Sequence, residues 1–299
     1  MLRGLKFNNC RTMATHLVSS PEIKTFVFMD IETTGLPLYE NNTTKITELC
    51  LTAVHASHLR LGAFPRVQNK LNLCFNPCKL ISADSEKITG LSNTLLEESY
   101  KFSKETVDSI SNFLNHNPQP ICFVAHNGLR FDYPLLRREI NKTNTSLDTN
   151  ILCIDTLVTF RELLVEKNEL KIENMITDID TVDNIQCDQP LFECMAQQMN
   201  ETTPSKQMIK NPYNSPPVKK IKVDNVRKKI EFGSSYKLGD IFTRLTNKQP
   251  INSHQADGDV QMLIMCAATL GDRFVDWSNE NSKRFCDVPA MVPGKKIGT

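Results

Sequence analysis

Residues 120–125 read Pro-Ile-Cys-Phe-Val-Ala, a run with no charged or amide side chain, and residues 151–154 (Ile-Leu-Cys-Ile) repeat the pattern. Such runs are too short for an ordinary helix and leave no polar face, which marks strands covered on both sides. Three further β-rich runs lie upstream, at 26–29, 46–54 and 70–75. Apolar residues at three- and four-residue spacing predict helices over 103–114, 134–140, 155–164, 236–245 and 254–268. Strands first, then strands alternating with helices, predict an α/β sandwich around a mixed β-sheet flanked by helices.

Composition narrows the class further. The 299 residues are 40% hydrophobic, enough for a core, so full-length disorder is excluded. No apolar run approaches the roughly 18–20 residues a bilayer requires, so no membrane span is expected. Lys+Arg 35 against Asp+Glu 34 excludes a histone-like polycation, and any nucleic-acid contact has to be built locally. Most of the 10 cysteines sit in apolar runs, where a free thiol behaves as a small core hydrophobe. Cys74 and Cys78 are four apart, but no second pair completes a zinc site. With no secretory segment at the start, reduced thiols and an intracellular location are expected.

The rhythm is not continuous. Residues 22–165 and 233–280 read as one domain, interrupted by 166–232, where Asn, Asp, Gln, Thr and Pro replace the apolar periodicity. A structureless run of that length suits a disordered insertion before the last helices. Its second half carries Lys219, Lys220 and Lys222, then Arg227, Lys228 and Lys229. Basic clusters after prolines suit nuclear import or a phosphate contact, against the plain alternative of a solvated charge run. Residues 1–21 are expected as a flexible tail and 281–299 as a C-terminal tail. Arg3, Lys6 and Arg11, with no acid before Glu22, give the first the charge bias of a mitochondrial presequence. Nucleus, cytoplasm or both are the expected locations, with mitochondrial targeting as the alternative.

The chemistry concentrates in three segments. Asp30 and Glu32 end the apolar run 26–29 and precede Thr33-Thr34-Gly35. Residues two apart on a strand share a face, so the two carboxylates project together. Like charges held close raise each other's pKa unless a cation compensates, which suggests a hard-cation site. The second segment is Ala125-His126-Asn127-Gly128 followed by Phe131-Asp132-Tyr133-Pro134. The third is His254-Gln255-Ala256-Asp257-Gly258-Asp259. Five residues separate His254 from Asp259, so the two meet only across neighbouring helix faces or with the histidine in the preceding turn. Singly, His254 reads as a surface residue and Asp259 as an early-turn acid favoured by the helix dipole.

Together the segments resemble the DEDDh branch of the DnaQ-like 3′→5′ exonucleases, which have a ribonuclease H-like fold. Adding Lys87-Ile88-Thr89-Gly90-Leu91-Ser92 and Tyr236-Lys237-Leu238-Gly239-Asp240, they resemble its three-prime repair group from about residue 26 to about residue 277. The resemblance implies a metal-dependent 3′→5′ DNA exonuclease acting on single-stranded or frayed 3′ ends. It implies Asp30, Glu32, Asp132 and Asp259 as ligands for two Mg²⁺ ions, with Mn²⁺ as a substitute. It implies His254 as general base and 5′-mononucleotides as product. Glu32, Thr33, Leu36, Ile88, Phe131 and Asp259 would contact the terminal nucleotides. The family also implies DNA as partner and a homodimer through the sheet edge.

Two departures stand in the second segment. Phe131 occupies a position usually held by tyrosine, and Leu129 one usually polar, which bears on rate and substrate preference. The absence of a long hydrophobic C-terminal tail aligns the chain with the untethered members. Two alternatives stay open on sequence: a 3′→5′ exoribonuclease of the same superfamily, and a catalytically silent nucleic-acid binding module.

Overall fold

Strand β1 (Thr25–Thr33) is buried at its first five positions, and neighbours pair with it on both sides. Antiparallel β2 (Ile46–His55) flanks one side and parallel β4 (Ile121–Ala125) the other. In this computed structural model, residues 22–164, 235–250 and 252–295 are described. They belong chiefly to one compact unit comprising Met1–Arg161 and Tyr236–Thr299. The expected insertion 166–232, with its basic clusters, and the tail 1–21 lie outside the described residues. The sheet is completed by β3 (Asn69–Cys74), β5 (Leu152–Asp155) and β6 (Lys283–Arg284), in the order β3-β2-β1-β4-β5-β6. β2–β3 and β5–β6 are antiparallel and β4–β5 is parallel, so the sheet is mixed, as the sequence predicted.

The alternation of side chains along β1 divides the core in two. Val27, Met29 and Ile31 face α3 (Lys104–Asn115) and α4 (Asp132–Lys142), packing with Val107, Ile110, Tyr133 and Leu136. Phe26 and Phe28 point the other way, with ring centroids 5.5 and 6.2 Å from that of Phe274. That second face is covered by α7 (Ala256–Leu270) and α8 (Asp272–Asn281), whose Val260, Leu263, Ile264 and Phe274 are buried. The remaining helices are α1 (Ala56–Leu59), α2 (Ala83–Thr89), α5, described over residues 156–164, and α6 (Leu238–Thr246).

Some elements differ from the sequence expectation. α2 has no buried residue and therefore no apolar period to reveal it. α7 begins at Ala256, not at 254, which leaves His254 in the turn before it. The expected tail from 281 is built into the fold as far as Met291. β6 pairs with β5, and Phe285, Val288 and Met291 are buried. Phe285 stacks edge-on to Phe123 at 5.1 Å and Tyr133 at 5.9 Å. A two-residue strand and a single 3₁₀ turn carry no periodicity that sequence could show. All the described cysteines are free. Cys50, Cys122, Cys153 and Cys266 are buried as expected, but Cys74 is exposed because β3 is the terminal strand of the sheet.

Candidate active site

Asp30 and Glu32 continue the face of β1 that carries Phe26 and Phe28, where α7 packs. Ligand oxygens of Asp30, Glu32 and Asp259 all lie within 4.8 Å of one another. Asp259 is at the fourth position of α7, its backbone N–H bonded to the Gln255 carbonyl at 3.0 Å. Asp132 opens α4, the helix on the opposite face, and is 2% exposed. Its Oδ1 has no hydrogen-bond partner among the described residues. Asp132 stands beside the cluster, close enough to raise the pKa of both Asp30 and Glu32.

The electrostatics are those of a concentrated negative site. Burial, then repulsion from Asp132, Asp259, Glu32 and Glu48, holds the Asp30 carboxyl well above the usual range. Burial and the charges of Asp259, Glu48 and Asp132 push Glu32 up to about 8. Asp132 is also pushed up to about 8, by burial first, with backbone hydrogen bonds at Asp132 and Ile31 pulling the other way. Burial raises Asp259, opposed by the backbone hydrogen bond from His254. Four acids that resist ionising together, one with a buried, unpaired oxygen, have the chemistry of a divalent-cation site.

His254 is exposed and lies in the turn before α7 at φ 65°, in the left-handed region. Its backbone N–H donates to Asp259 Oδ2 at 3.2 Å, tying the turn to the carboxylate cluster. The turn sits directly on the helix: a Cβ at Gly258 would come within 2.2 Å of the Asn252 carbonyl oxygen. Only glycine permits that approach.

The residues expected to hold nucleotides lie at and just after the end of β1, on α2 and immediately before Asp132. The Thr33 hydroxyl is buried and donates to the Gly35 carbonyl at 3.0 Å, so it shapes the turn after Glu32. α2 docks on this turn through Ser82 N–H to the Thr34 carbonyl at 2.8 Å and Ser85 Oγ to the Thr33 carbonyl. Ile88, one turn further along α2, and Leu36 are 54% and 60% exposed, an apolar pair left at the rim. Phe131 is half-buried against the core, immediately before Asp132.

Two acids outside the expected set also shape the site. Glu48 lies opposite Glu32 in the β1–β2 register and so on the same face. Its Oε2 accepts the Ala256 N–H at 3.3 Å, at the start of α7, and its Oε1 accepts Asn72 Nδ2 at 3.0 Å. Asp155, buried at the end of β5, accepts the backbone N–H groups of Asn127, Leu129 and Leu157 at 2.8, 3.1 and 2.9 Å. It thereby fixes the loop that delivers Phe131 and Asp132. Each carried a sequence signal, an acid inside or at the end of a β-rich run, as Asp30 is. His126 completes the loop, its Nε2–H donating to the Tyr236 carbonyl at 2.9 Å.

The exonuclease family of the RNase T type matches residues 27–180. The chain is 30% identical over 294 residues to three-prime repair exonuclease 1 of Bos taurus, covering 93% of this chain and 74% of that protein. The chain belongs to the three-prime repair exonuclease family. It is also 27% identical over 284 residues to three prime repair exonuclease 2 of Mus musculus, covering 91% and 95% of the two chains. Among solved structures, it is similar in fold to exonuclease I at 15% identity and TM-score 0.50, covering 85% of this chain and 43% of that one. A 3′-exonuclease recognising a histone mRNA stem-loop is similar at 8% identity and TM-score 0.50, over 84% and 83%. These two likenesses concern the fold alone: a ribonuclease H-like mixed sheet flanked by helices. Among the described residues, no helix is long and apolar enough to cross a membrane.

Proposed function

We propose that this exonuclease removes nucleotides from the 3′ ends of DNA, single-stranded or frayed, by hydrolysis that depends on two divalent cations. The observation that carries this reading is the meeting of Asp30, Glu32 and Asp259 within 4.8 Å, with the unpaired Asp132 oxygen beside them. These four would hold Mg²⁺, with Mn²⁺ as a substitute. Bound there, the cations supply charge neutralisation at the scissile phosphate and a lowered pKa for the attacking water.

The chain's own residues do the rest. An imidazole nitrogen of His254 takes the proton of the attacking water, which a neutral ring does near pH 7. The exposed turn lets the ring shed that proton to solvent. Leu36, Ile88 and Phe131 support the terminal bases by apolar contact, which every base accepts and which carries no sequence preference. Glu32 and Asp259 border the same terminal nucleotide.

The open edge of β3, paired only with β2 among the described residues, supports a homodimer joined edge to edge. Light scattering of the purified chain checks it, and a monomer at micromolar concentration refutes it.

End-labelled single-stranded DNA and RNA, incubated with Mg²⁺ and with chelator, test the function. DNA shortening from the 3′ end, abolished by chelator, is expected, and faster trimming of RNA overturns the DNA assignment. Asp259→Asn should abolish cleavage while leaving DNA binding largely intact. Full activity in that variant removes the metal assignment, and DNA binding without cleavage in the native chain supports a silent binding module.

A further inference from the structure

Two turns along α4 from Asp132, on the face of the sheet away from Asp30 and Glu32, lies an ion cluster that hydrolysis does not use. Glu139 and Arg138 are each 5% exposed. Arg138 donates through Nε and Nη2 to Glu139 Oε1 at 3.0 and 2.8 Å, and its guanidinium also bonds the Asn42 and Thr44 carbonyls. That buried pair is already neutral. Lys142 Nζ nevertheless reaches Glu139 Oε1 at 2.8 Å, and Lys45 Nζ reaches Oε2 at 3.4 Å. One carboxylate therefore serves three cations.

The two lysines line a cleft of about 350 Å³ together with Lys101, and Glu139 is its only acidic wall. Lys101 makes no ion pair among the described residues. Three lysines thus line one concavity whose single carboxylate is already shared with Arg138. Burial lowers the Lys142 pKa, the hydrogen bond to Glu139 opposes that shift, and the neighbouring Lys45 and Arg138 add to it. A bound anion would relieve that crowding. Lysine is a point-charge donor suited to the three oxygens of a phosphate rather than to a planar carboxylate.

We propose that the cleft formed by Lys45, Lys101, Lys142 and Glu139 binds a phosphate group, supplied by a nucleic-acid backbone or by a free nucleotide. The cleft is coupled to the active site by backbone: the Lys45 carbonyl accepts the Thr34 N–H at 3.0 Å, two residues beyond Glu32. Glu139 lies about 10 Å along α4 from Asp132 at 1.5 Å per residue. Only the nucleic-acid source rests on the exonuclease reading; phosphate binding itself does not.

Inorganic phosphate titrated into the chelator-treated full chain, followed by amide NMR, tests this without metal or turnover. Saturable shifts are expected at residues 45, 101 and 142, absent in Lys45→Gln/Lys142→Gln and weakened several-fold in Lys101→Gln, which leaves the Glu139 cluster intact. Equal shifts in the double variant, or none in the native chain, overturn the proposal. A mononucleotide and a long single strand then separate the sources. A backbone contact raises KM for the long strand several-fold in the double variant, leaves kcat unchanged, and flattens the salt dependence by roughly 0.7 of a log unit per phosphate released. An unchanged KM with mononucleotide shifts lost assigns the cleft to a free nucleotide. Absence of nuclease activity alongside intact phosphate shifts would count against the catalytic reading alone.

Discussion

Gly258→Ala separates two effects of opposite sign. Alanine is the better helix former by about 1 kcal/mol, so in an open helix position the change would stabilise. Here the new methyl meets the Asn252 carbonyl oxygen at 2.2 Å. Ordinary van der Waals contact requires more than 3 Å, so that carbonyl has to retreat by about 1 Å. The Asn252 carbonyl also accepts the Gln255 N–H at 3.3 Å, and Asn252 and His254 both lie in the left-handed region, at φ 52° and 65°. The turn that holds His254 has little room to absorb the shift locally. Overpacking costs about 1–3 kcal/mol, so net stability should fall by no more than about 2 kcal/mol. A catalytic group displaced by 1 Å can cost about 10²-fold in rate. The expected result is therefore a fall in kcat of about two orders of magnitude on an end-labelled single strand, with a small change in thermal melting. A kcat within about threefold of the native chain would falsify the argument that Gly258 places the His254 turn.

Two further outcomes follow from the structure and a third from the sequence. Glu32 and Asp132 are raised from 4.5 and 3.8 to about 8. The metal-free folded chain therefore keeps protons that the unfolded chain has released, and its stability should fall as pH rises from about 4 to about 8. Added Mg²⁺ should raise the melting temperature more at pH 8 than at pH 5, and a chelated protein with a flat pH profile contradicts this. Glu48→Ala leaves the Ala256 N–H and Asn72 amide without their acceptor, so it should cost about 1–2 kcal/mol in chemical denaturation and lower kcat; Glu48→Gln should recover most of the stability, and equal loss in both variants argues against the capping role. A fluorescent fusion lacking residues 219–229 should lose nuclear accumulation, and unchanged imaging would exclude these lysines and arginines as an import signal.

Several features of the fold were legible because they depend on neighbours in sequence. The unbroken apolar run at 121–125 has the length of a strand covered on both faces, and it is the parallel partner of β1. The placement of Asp30 and Glu32 on one face follows from strand alternation alone. By contrast, α2 has no apolar period because no side chain in it is buried, and β6 with the following 3₁₀ turn has none because two or three residues are too few for one. Glu48 and Asp155 show in sequence only as acids in or after β-rich runs, and their roles do not. Each is an acid whose partners are backbone N–H groups elsewhere in the chain, Ala256 for Glu48 and Asn127 and Leu129 for Asp155.

By itself the sequence determined the alternation of strands and helices, the paired acids at the end of β1, and the family to which their spacing belongs. These rest on local periodicity and on residue identity. The tertiary structure decided that β1 lies between an antiparallel and a parallel neighbour, and that helices from opposite faces bring Asp259 and Asp132 to one end of it. It also decided that His254 stands in a turn pressed onto Gly258. Those outcomes depend on pairing, burial and close contact between segments that the local periodicity of the chain does not relate.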